Sequence, residues 1–154
     1  MPEKSATITR DALIALLNED LSREFQAVIA YVVYSQTLKG AQYMAIATEL
    51  EGHAGQELQH ALTIAKQIDY LGGTPTTVPR AVKMSAKAEA MLQFDLDNEG
   101  ETITNYRQRV RQCEALGEYA MAEEIREILR TEQEHQIDLA TALNKNVPAL
   151  SALK

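Results

Sequence analysis

The sequence predicts an all-α protein, a four-helix bundle in which two antiparallel hairpins are joined by one long crossover. Proline, which interrupts helices, does not occur in residues 11–71 or 81–146. Gly40, the pair Gly72–Gly73 and Gly117 stand at points where helices are expected to stop. No stretch shows the sustained period-two alternation that is typical of a half-buried strand. The chain therefore divides into long helical segments separated by glycine.

The four predicted helices cover residues 10–38, 41–71, 84–116 and 118–145. Each carries a heptad-like apolar stripe, which predicts one face turned towards a shared core. Lys39-Gly40 is a short connection between the first two helices, and Leu116-Gly117 is a short connection between the last two. Short connections make antiparallel neighbours, so we expect two hairpins.

The middle connection, residues 72–83 (GGTPTTVPRAVK), is rich in glycine, proline and threonine. Twelve extended residues reach about 40 Å, and a helix of about 28 residues is about 42 Å long. The connection can therefore run the length of the bundle and start the third helix at the opposite end. We expect one domain over residues 1–154, with a tail at 146–154. Two domains on a flexible linker are the alternative, but each hairpin alone is too small to bury its core well.

Composition excludes several classes of protein. The 154 residues carry a net charge of −7, which disfavours binding to nucleic acid. A single cysteine excludes an internal disulfide and a cysteine-rich metal site. The longest apolar run, Ala27–Tyr34, is far shorter than the roughly 20 residues of a membrane span. Residues 1–10 contain no apolar signal segment, so we expect a cytoplasmic protein.

Acidic residues interrupt every apolar stripe, and two stripes also carry a histidine three residues later. The interrupting residues are Glu24, Glu57, His60, Glu99, Glu132 and His135. Counted in residues from the ends of their helices, these positions lie at nearly the same height in the bundle, within about 4.5 Å along its axis. Four buried carboxylates are prohibitive without compensation, whereas two divalent cations would neutralise them. Carboxylate and imidazole together suit iron or manganese.

The sequence therefore predicts a buried di-metal centre, with one Glu from each of two helices and Glu-x-x-His from each of the other two. The alternative is that these glutamates lie on solvated faces. Glu101 competes with Glu99 for its place, but it shares a face with Asp97 and Asn105, which indicates solvent.

Four motifs carry a resemblance to a known family. They are Arg23-Glu24-Phe25 with Tyr31, Gln56–His60, Met91-Leu92 with Asp95-Leu96 and Glu99, and Ile128–Arg130 with Glu132 and His135. Over about residues 11–145 the chain resembles the ferritin superfamily, bacterioferritin in particular. The resemblance implies a ferritin-like fold, in which the six residues bind two iron ions and Glu57 and Glu132 bridge them. It places Tyr31 beside the centre, where it can hydrogen-bond a ligand or be oxidised. The alternative for Tyr31 is a core aromatic residue with a satisfied hydroxyl.

The chain departs from this family at several positions. Leu58 stands where the family has its haem-ligating methionine, and leucine cannot bind iron, which argues against haem there. Gly52 and Gln56 replace residues that guide iron onwards in some members. His53, one residue away, is either an accessory or channel ligand or a structural or surface histidine. The tail, residues 146–154, is long enough only for a short fifth helix, which weakens the case for a closed 24-subunit shell.

These observations predict a ferroxidase that oxidises Fe(II) with O2 or H2O2, and the resemblance extends this to iron storage in a homo-oligomer. A second hypothesis is a non-storage peroxidase or catalase-like enzyme with two iron or manganese ions, resembling rubrerythrin and acting as a dimer or small oligomer. A third is a structural bundle without metal.

Overall fold

The computed structural model describes residues 8–149 and shows four long α-helices with no strand in that range. The helices are α1 Arg10–Thr37, α2 Met44–Tyr70, α3 Ala88–Ala115 and α4 Tyr119–Ala142. The predicted all-α four-helix bundle is confirmed. Within the same residues, none of the helices combines the length and apolar character that crossing a membrane requires.

Two helices begin later than predicted, and local structure explains both differences. Residues Ala41–Tyr43 form a separate 3₁₀ turn, so α2 starts at Met44. Residues 84–87 continue the crossover instead of opening α3. There the Ser85 hydroxyl accepts a hydrogen bond from the Lys87 backbone N–H at 3.1 Å. Serine favours such turns over a helix interior.

The last helix ends three residues earlier than predicted, at Ala142. Asn144 adopts a left-handed conformation with φ 56°, which asparagine tolerates better than most residues. The Lys145 N–H then bonds the Ala140 carbonyl at 2.9 Å, closing the helix end. The sequence predicts a short tail or a short fifth helix over residues 146–154; residues 146–149 contain no helix, and the remainder lies outside the described residues.

Contacts between helices fix their directions. Arg10 Nε, at the start of α1, donates to the Leu71 carbonyl beyond the end of α2 at 2.8 Å. Lys145 Nζ, beyond the end of α4, donates to Gln93 Oε1 near the start of α3 at 2.6 Å. Both hairpins are therefore antiparallel, and the crossover starts α3 at the opposite end of the bundle from the end of α2, as the sequence predicts.

The crossover is attached to α1 by polar side chains that α1 presents at successive turns. Asn18 Oδ1 accepts from the Thr76 N–H at 2.8 Å, and the Ser22 hydroxyl donates to the Val78 carbonyl at 2.7 Å. One turn later, Gln26 Nε2 donates to the Ala81 carbonyl at 2.8 Å. These bonds satisfy backbone groups that an extended segment cannot pair with itself.

The core is divided into two apolar clusters by a polar layer. One cluster includes Leu13, Leu17, Ile64 and Ile125, and the other includes Leu50, Leu92 and Leu139. On every helix, the residues that the sequence singles out as metal ligands lie between the two clusters. The candidate site therefore lies inside the bundle with hydrocarbon on both sides along its axis.

Gly73 is required by close packing at the end of α2. A Cβ there would lie 2.5 Å from Ile14 Cγ2 and 3.1 Å from Ile68 Cγ2. We expect Gly73→Ala to lower the free energy of unfolding by about 1–3 kcal/mol, because the core must shift to accept the methyl group. Gly55→Ala is the control, since a Cβ at Gly55 meets nothing within 4 Å, and it should stabilise α2 by up to about 1 kcal/mol. Urea denaturation measures both, and equal losses would contradict the packing argument.

Candidate metal centre

The structure brings all six predicted ligands together in the polar layer. Their exposed fractions are Glu24 2%, Glu57 1%, His60 7%, Glu99 3%, Glu132 1% and His135 1%. Each helix supplies its share from the face that carries its apolar stripe, since residues three or four apart lie on one side of a helix. The alternative that these glutamates face solvent is therefore wrong. Glu101 is exposed, as expected, and its Oε1 forms an ion pair with Arg23 Nη1 at 2.7 Å.

The ligands form two overlapping sets, each able to hold one ion. The sets are Glu24, Glu57, His60 and Glu132, and Glu57, Glu99, Glu132 and His135. Within each set one ligand atom per residue lies within 4.8 Å of all the others. Glu57 and Glu132 belong to both sets, so their carboxylates stand where a pair of ions would be bridged.

Every one of the six residues has a buried side-chain atom that forms no hydrogen bond outside the ligand set. The atoms are Glu24 Oε2, Glu57 Oε1, His60 Nδ1, Glu99 Oε2, Glu132 Oε1 and His135 Nδ1. Inside the set, His60 Nδ1 lies 2.7 Å from Glu132 Oε1, and His135 Nδ1 lies 2.8 Å from Glu57 Oε1. An unsatisfied buried polar group costs about 1–3 kcal/mol, and more when it is charged. A set of such atoms converging in one space fits a pair of divalent cations, which would satisfy all of them. The donor set also suits transition metals that accept both carboxylate and imidazole.

The pKa values of the two shared glutamates shift in the opposite direction from that of Glu99, which belongs to one ligand set only. Burial, reinforced by neighbouring glutamates, raises the pKa of Glu57 and Glu132 well above the usual range. Burial also acts on Glu99, but contacts with Glu132 and His135 outweigh it and lower the pKa of Glu99 to about 2. The shared carboxyl groups therefore hold protons more tightly than ordinary glutamates do, whereas Glu99 holds a proton less tightly. Binding of cations must displace those protons.

Two tyrosines donate hydrogen bonds to the glutamates that belong to only one ligand set, Glu24 and Glu99. The Tyr31 hydroxyl donates to Glu99 Oε1, and the Tyr106 hydroxyl donates to Glu24 Oε1. Each tyrosine thus reaches from its own helix to the glutamate of the other. The sequence predicts Tyr31 beside the centre, and it lies there, with its hydroxyl satisfied by a candidate ligand. Tyr106 is missed as a functional residue and is predicted only as part of the core stripe.

Gln56 is a second residue whose role the sequence does not indicate. Its Oε1 lies 2.6 Å from His135 Nε2, where it can accept the ring N–H. A proton on Nε2 leaves the lone pair on Nδ1, the nitrogen that faces the ligand set, and such partners fix the tautomer and orientation of metal-binding histidines. Leu58 is half exposed, and its apolar side chain supplies no ligand.

Asp95 and His53 complete the surroundings of the centre. Asp95 is 3% exposed, its Oδ2 has no partner, and burial raises its pKa well above the usual range. It lines a cavity of about 10 Å³ together with Tyr31 and Glu99, enough for about one water molecule. His53 is also 3% exposed, so its interpretation as a surface residue is wrong.

Comparison with known proteins agrees with this geometry. Residues 14–146 match the family model of the ferritin-like domain. Bacterioferritin of Desulfovibrio desulfuricans is 29% identical over 124 residues, which are 80% of this chain and 69% of that protein. A ferritin-like diiron-carboxylate protein of Bacillus anthracis has a TM-score of 0.84 at 33% identity, covering 88% of this chain and 97% of that one. The dodecameric thioferritin of Bacteroides fragilis has a TM-score of 0.82 at 26% identity, covering 89% and 87%.

Proposed function

This chain belongs to the ferritin-like domain family, and from that premise we propose that it is a ferroxidase that oxidises Fe(II) for storage. The observation that carries the proposal is the pair of buried ligand sets that share Glu57 and Glu132. The diiron and bacterioferritin names of its relatives favour iron over manganese as the substrate. Haem has no part in the proposal because Leu58, at the position where the family has a methionine ligand, offers no donor atom.

In the proposed reaction, two Fe(II) ions each lose one electron. With O2 as the oxidant, two electrons and two protons give one H2O2; with H2O2, they give two molecules of water. Glu24 and His60 hold one Fe(II), Glu99 and His135 hold the other, and Glu57 and Glu132 contact both. The residues supply position and charge, while the change of oxidation state belongs to the iron.

Charge balance accounts for the binding of Fe(II) and for the fate of the ferric product. Four carboxylates neutralise two Fe(II) ions in a site from which the two apolar clusters exclude water. Oxidation adds two positive charges that these carboxylates do not balance. The ferric product therefore needs further anionic ligands, such as the hydroxide and oxide of a mineral.

Aerobic addition of Fe(II) to the metal-free protein tests the ferroxidase. Ferric absorbance should develop faster than in buffer alone, and an equal rate would refute the activity. Storage is tested separately by native mass spectrometry. A dodecamer, as in the Bacteroides relative, or a larger shell supports storage, whereas a dimer would leave only the non-storage di-metal enzyme.

Tyr31→Phe is expected to lower the initial rate of Fe(II) oxidation and the affinity for Co(II) by about tenfold, because residues that orient ligands typically contribute 10–100-fold. The change removes the hydroxyl that donates to Glu99 and keeps the ring. Tyr34→Phe is the matched control, since the Tyr34 hydroxyl donates to the Lys83 carbonyl in the crossover instead of a ligand. If both variants change the rate equally, Tyr31 does not act through Glu99.

A further inference from the structure

A small polar cavity lies beside the candidate ligands, and most of its lining comes from α1 and α3. Arg23 of α1 and Asp95 of α3 line it together with the ligands Glu24, Glu57 and Glu99. Its volume is about 10 Å³, which is room for a molecule about the size of water. A molecule in this cavity therefore lies next to the residues that are proposed to hold Fe(II).

Arg23, the residue before Glu24, is fixed at this cavity by bonds to α3. Its side chain is 5% exposed, and its Nη1 pairs with Glu101 Oε1 at 2.7 Å. Nη2 donates to the Asn98 carbonyl and to Thr102 Oγ1, both at 3.2 Å. The buried Nε has no hydrogen-bond partner among the described residues. The guanidinium is thus held in place while one of its donors remains unsatisfied.

Asp95 adds an unsatisfied carboxyl oxygen to the same lining. It precedes Glu99 by four residues on α3 and is 3% exposed. Within the part of the chain that the structure describes, its Oδ2 has no hydrogen-bond partner. A carboxyl group accepts a hydrogen bond in either protonation state. Because an unsatisfied buried polar group is costly, a donor and an acceptor on one cavity indicate a ligand that hydrogen-bonds with both.

We propose that Arg23 and Asp95 bind the oxidant and select H2O2 over O2. H2O2 donates and accepts hydrogen bonds, so one molecule can satisfy both Arg23 Nε and Asp95 Oδ2. O2 donates none and accepts only weakly, and a site built to hydrogen-bond its substrate discriminates against a molecule that cannot. The inference rests on the proposed ferroxidase function and names its oxidant. H2O2 takes one electron from each of two Fe(II), its O–O bond breaks, and two protons from solvent complete two molecules of water.

The ratio of the oxidation rates with the two oxidants tests this selection. The initial rate of ferric absorbance is measured with H2O2 under anaerobic conditions, and with an equal concentration of O2 in the presence of catalase. Arg23→Met removes the donor and keeps the length of the side chain, so the ratio of the H2O2 rate to the O2 rate should fall by about tenfold. Asp95→Leu removes the acceptor without breaking an ion pair, and should lower this ratio by about two- to tenfold.

Arg80→Met is the matched control for the loss of a positive charge. Arg80 also pairs with Glu101, at 3.6 Å, but its side chain is 53% exposed and it is not among the residues that line the cavity. Its ratio should equal that of the wild type. Both rates are measured on one sample, so a loss of folded protein cancels in the ratio.

Binding of hydroxylamine gives a second readout that involves no oxidation of iron. Hydroxylamine is close to H2O2 in size and in its hydrogen-bonding groups. It is titrated without oxygen into the Co(II)-loaded protein, and the visible absorption of Co(II) reports binding. Arg23→Met should raise the Kd of hydroxylamine by about tenfold, whereas Arg80→Met should leave it unchanged.

The outcomes separate this inference from the ferroxidase proposal. An unchanged ratio or an unchanged Kd in Arg23→Met refutes binding of the oxidant by Arg23 and leaves the ferroxidase proposal standing. Equal losses of rate with both oxidants would mean that Arg23 only supports the fold, and would also refute selection. If the Kd rises as expected while the wild type oxidises Fe(II) no faster than buffer, the cavity binds its ligand but the ferroxidase function is refuted.

Discussion

Glu57→Gln is expected to lower the rate of Fe(II) oxidation by about 100-fold or more, above the usual effect of residues that merely orient ligands. Glu57 belongs to both ligand sets, so the change removes a charged oxygen from each ion at once. The amide keeps the size of the carboxyl group and supplies one neutral oxygen. The loss should appear in the initial rate of ferric absorbance at saturating Fe(II).

The fold should survive this substitution. Burial raises the pKa of Glu57 well above the usual range, which favours the neutral form of the carboxyl group, and glutamine is neutral and of the same size. We expect the free energy of unfolding of the metal-free protein to change by no more than about 1 kcal/mol. Glu51→Gln, an exposed glutamate on the same helix, is the control and should oxidise Fe(II) at the wild-type rate. A Glu57→Gln variant with more than half the wild-type rate would contradict a bridging role.

The positions of the six ligands could be predicted from sequence because they depend on backbone geometry alone. Rise per residue and short connections fix the height of each residue along an antiparallel hairpin. The apolar residues beside each ligand on its stripe fix the side of the helix on which that ligand lies. Neither argument needs the conformation of a side chain, which is why residues as distant in sequence as Glu24 and Glu132 were placed in one layer.

The partners of those ligands could not be predicted in the same way. Which hydrogen bond a buried tyrosine or glutamine makes depends on rotamers and on side chains of other helices. Tyr106 did leave a signal, because it follows Glu99 by seven residues, as Tyr31 follows Glu24. In antiparallel helices this repeat lets each tyrosine reach the other helix's glutamate.

Helix boundaries show a similar limit. The start of α3 is predicted four residues too early because side-chain hydrogen bonds shape the end of the crossover, and apolar spacing contains no information about them. The Tyr34 hydroxyl donates to the Lys83 carbonyl, which ties the crossover to α1 as far as Lys83. Beyond it, the Ser85 hydroxyl accepts from the Lys87 N–H and holds a turn that delays the start of α3.

Saturating the metal-free protein with Co(II) is expected to raise the free energy of unfolding by about 5 kcal/mol, since each site adds about 2.7 kcal/mol at 100 times its Kd. For a chain of this length, that raises Tm by roughly 10–20 °C. The gain arises because the cations satisfy buried atoms that otherwise have no partner, such as Glu24 Oε2 and Glu99 Oε2. Thermal unfolding followed by far-UV circular dichroism, with and without Co(II), measures the shift.

The stabilisation should shrink as the pH falls, because protons compete with cations for the same oxygens. Burial raises the pKa of Glu57 and Glu132 well above the usual range, so this competition begins at a higher pH than the region near pH 4–5 in which ordinary glutamates take up protons. The double variant Glu57→Gln/Glu132→Gln removes both competing groups. Co(II) should therefore shift the Tm of this variant far less than that of the wild type. A Co(II) shift equal to that of the wild type would mean that the cations stabilise the protein elsewhere, and that the buried layer is not the metal centre.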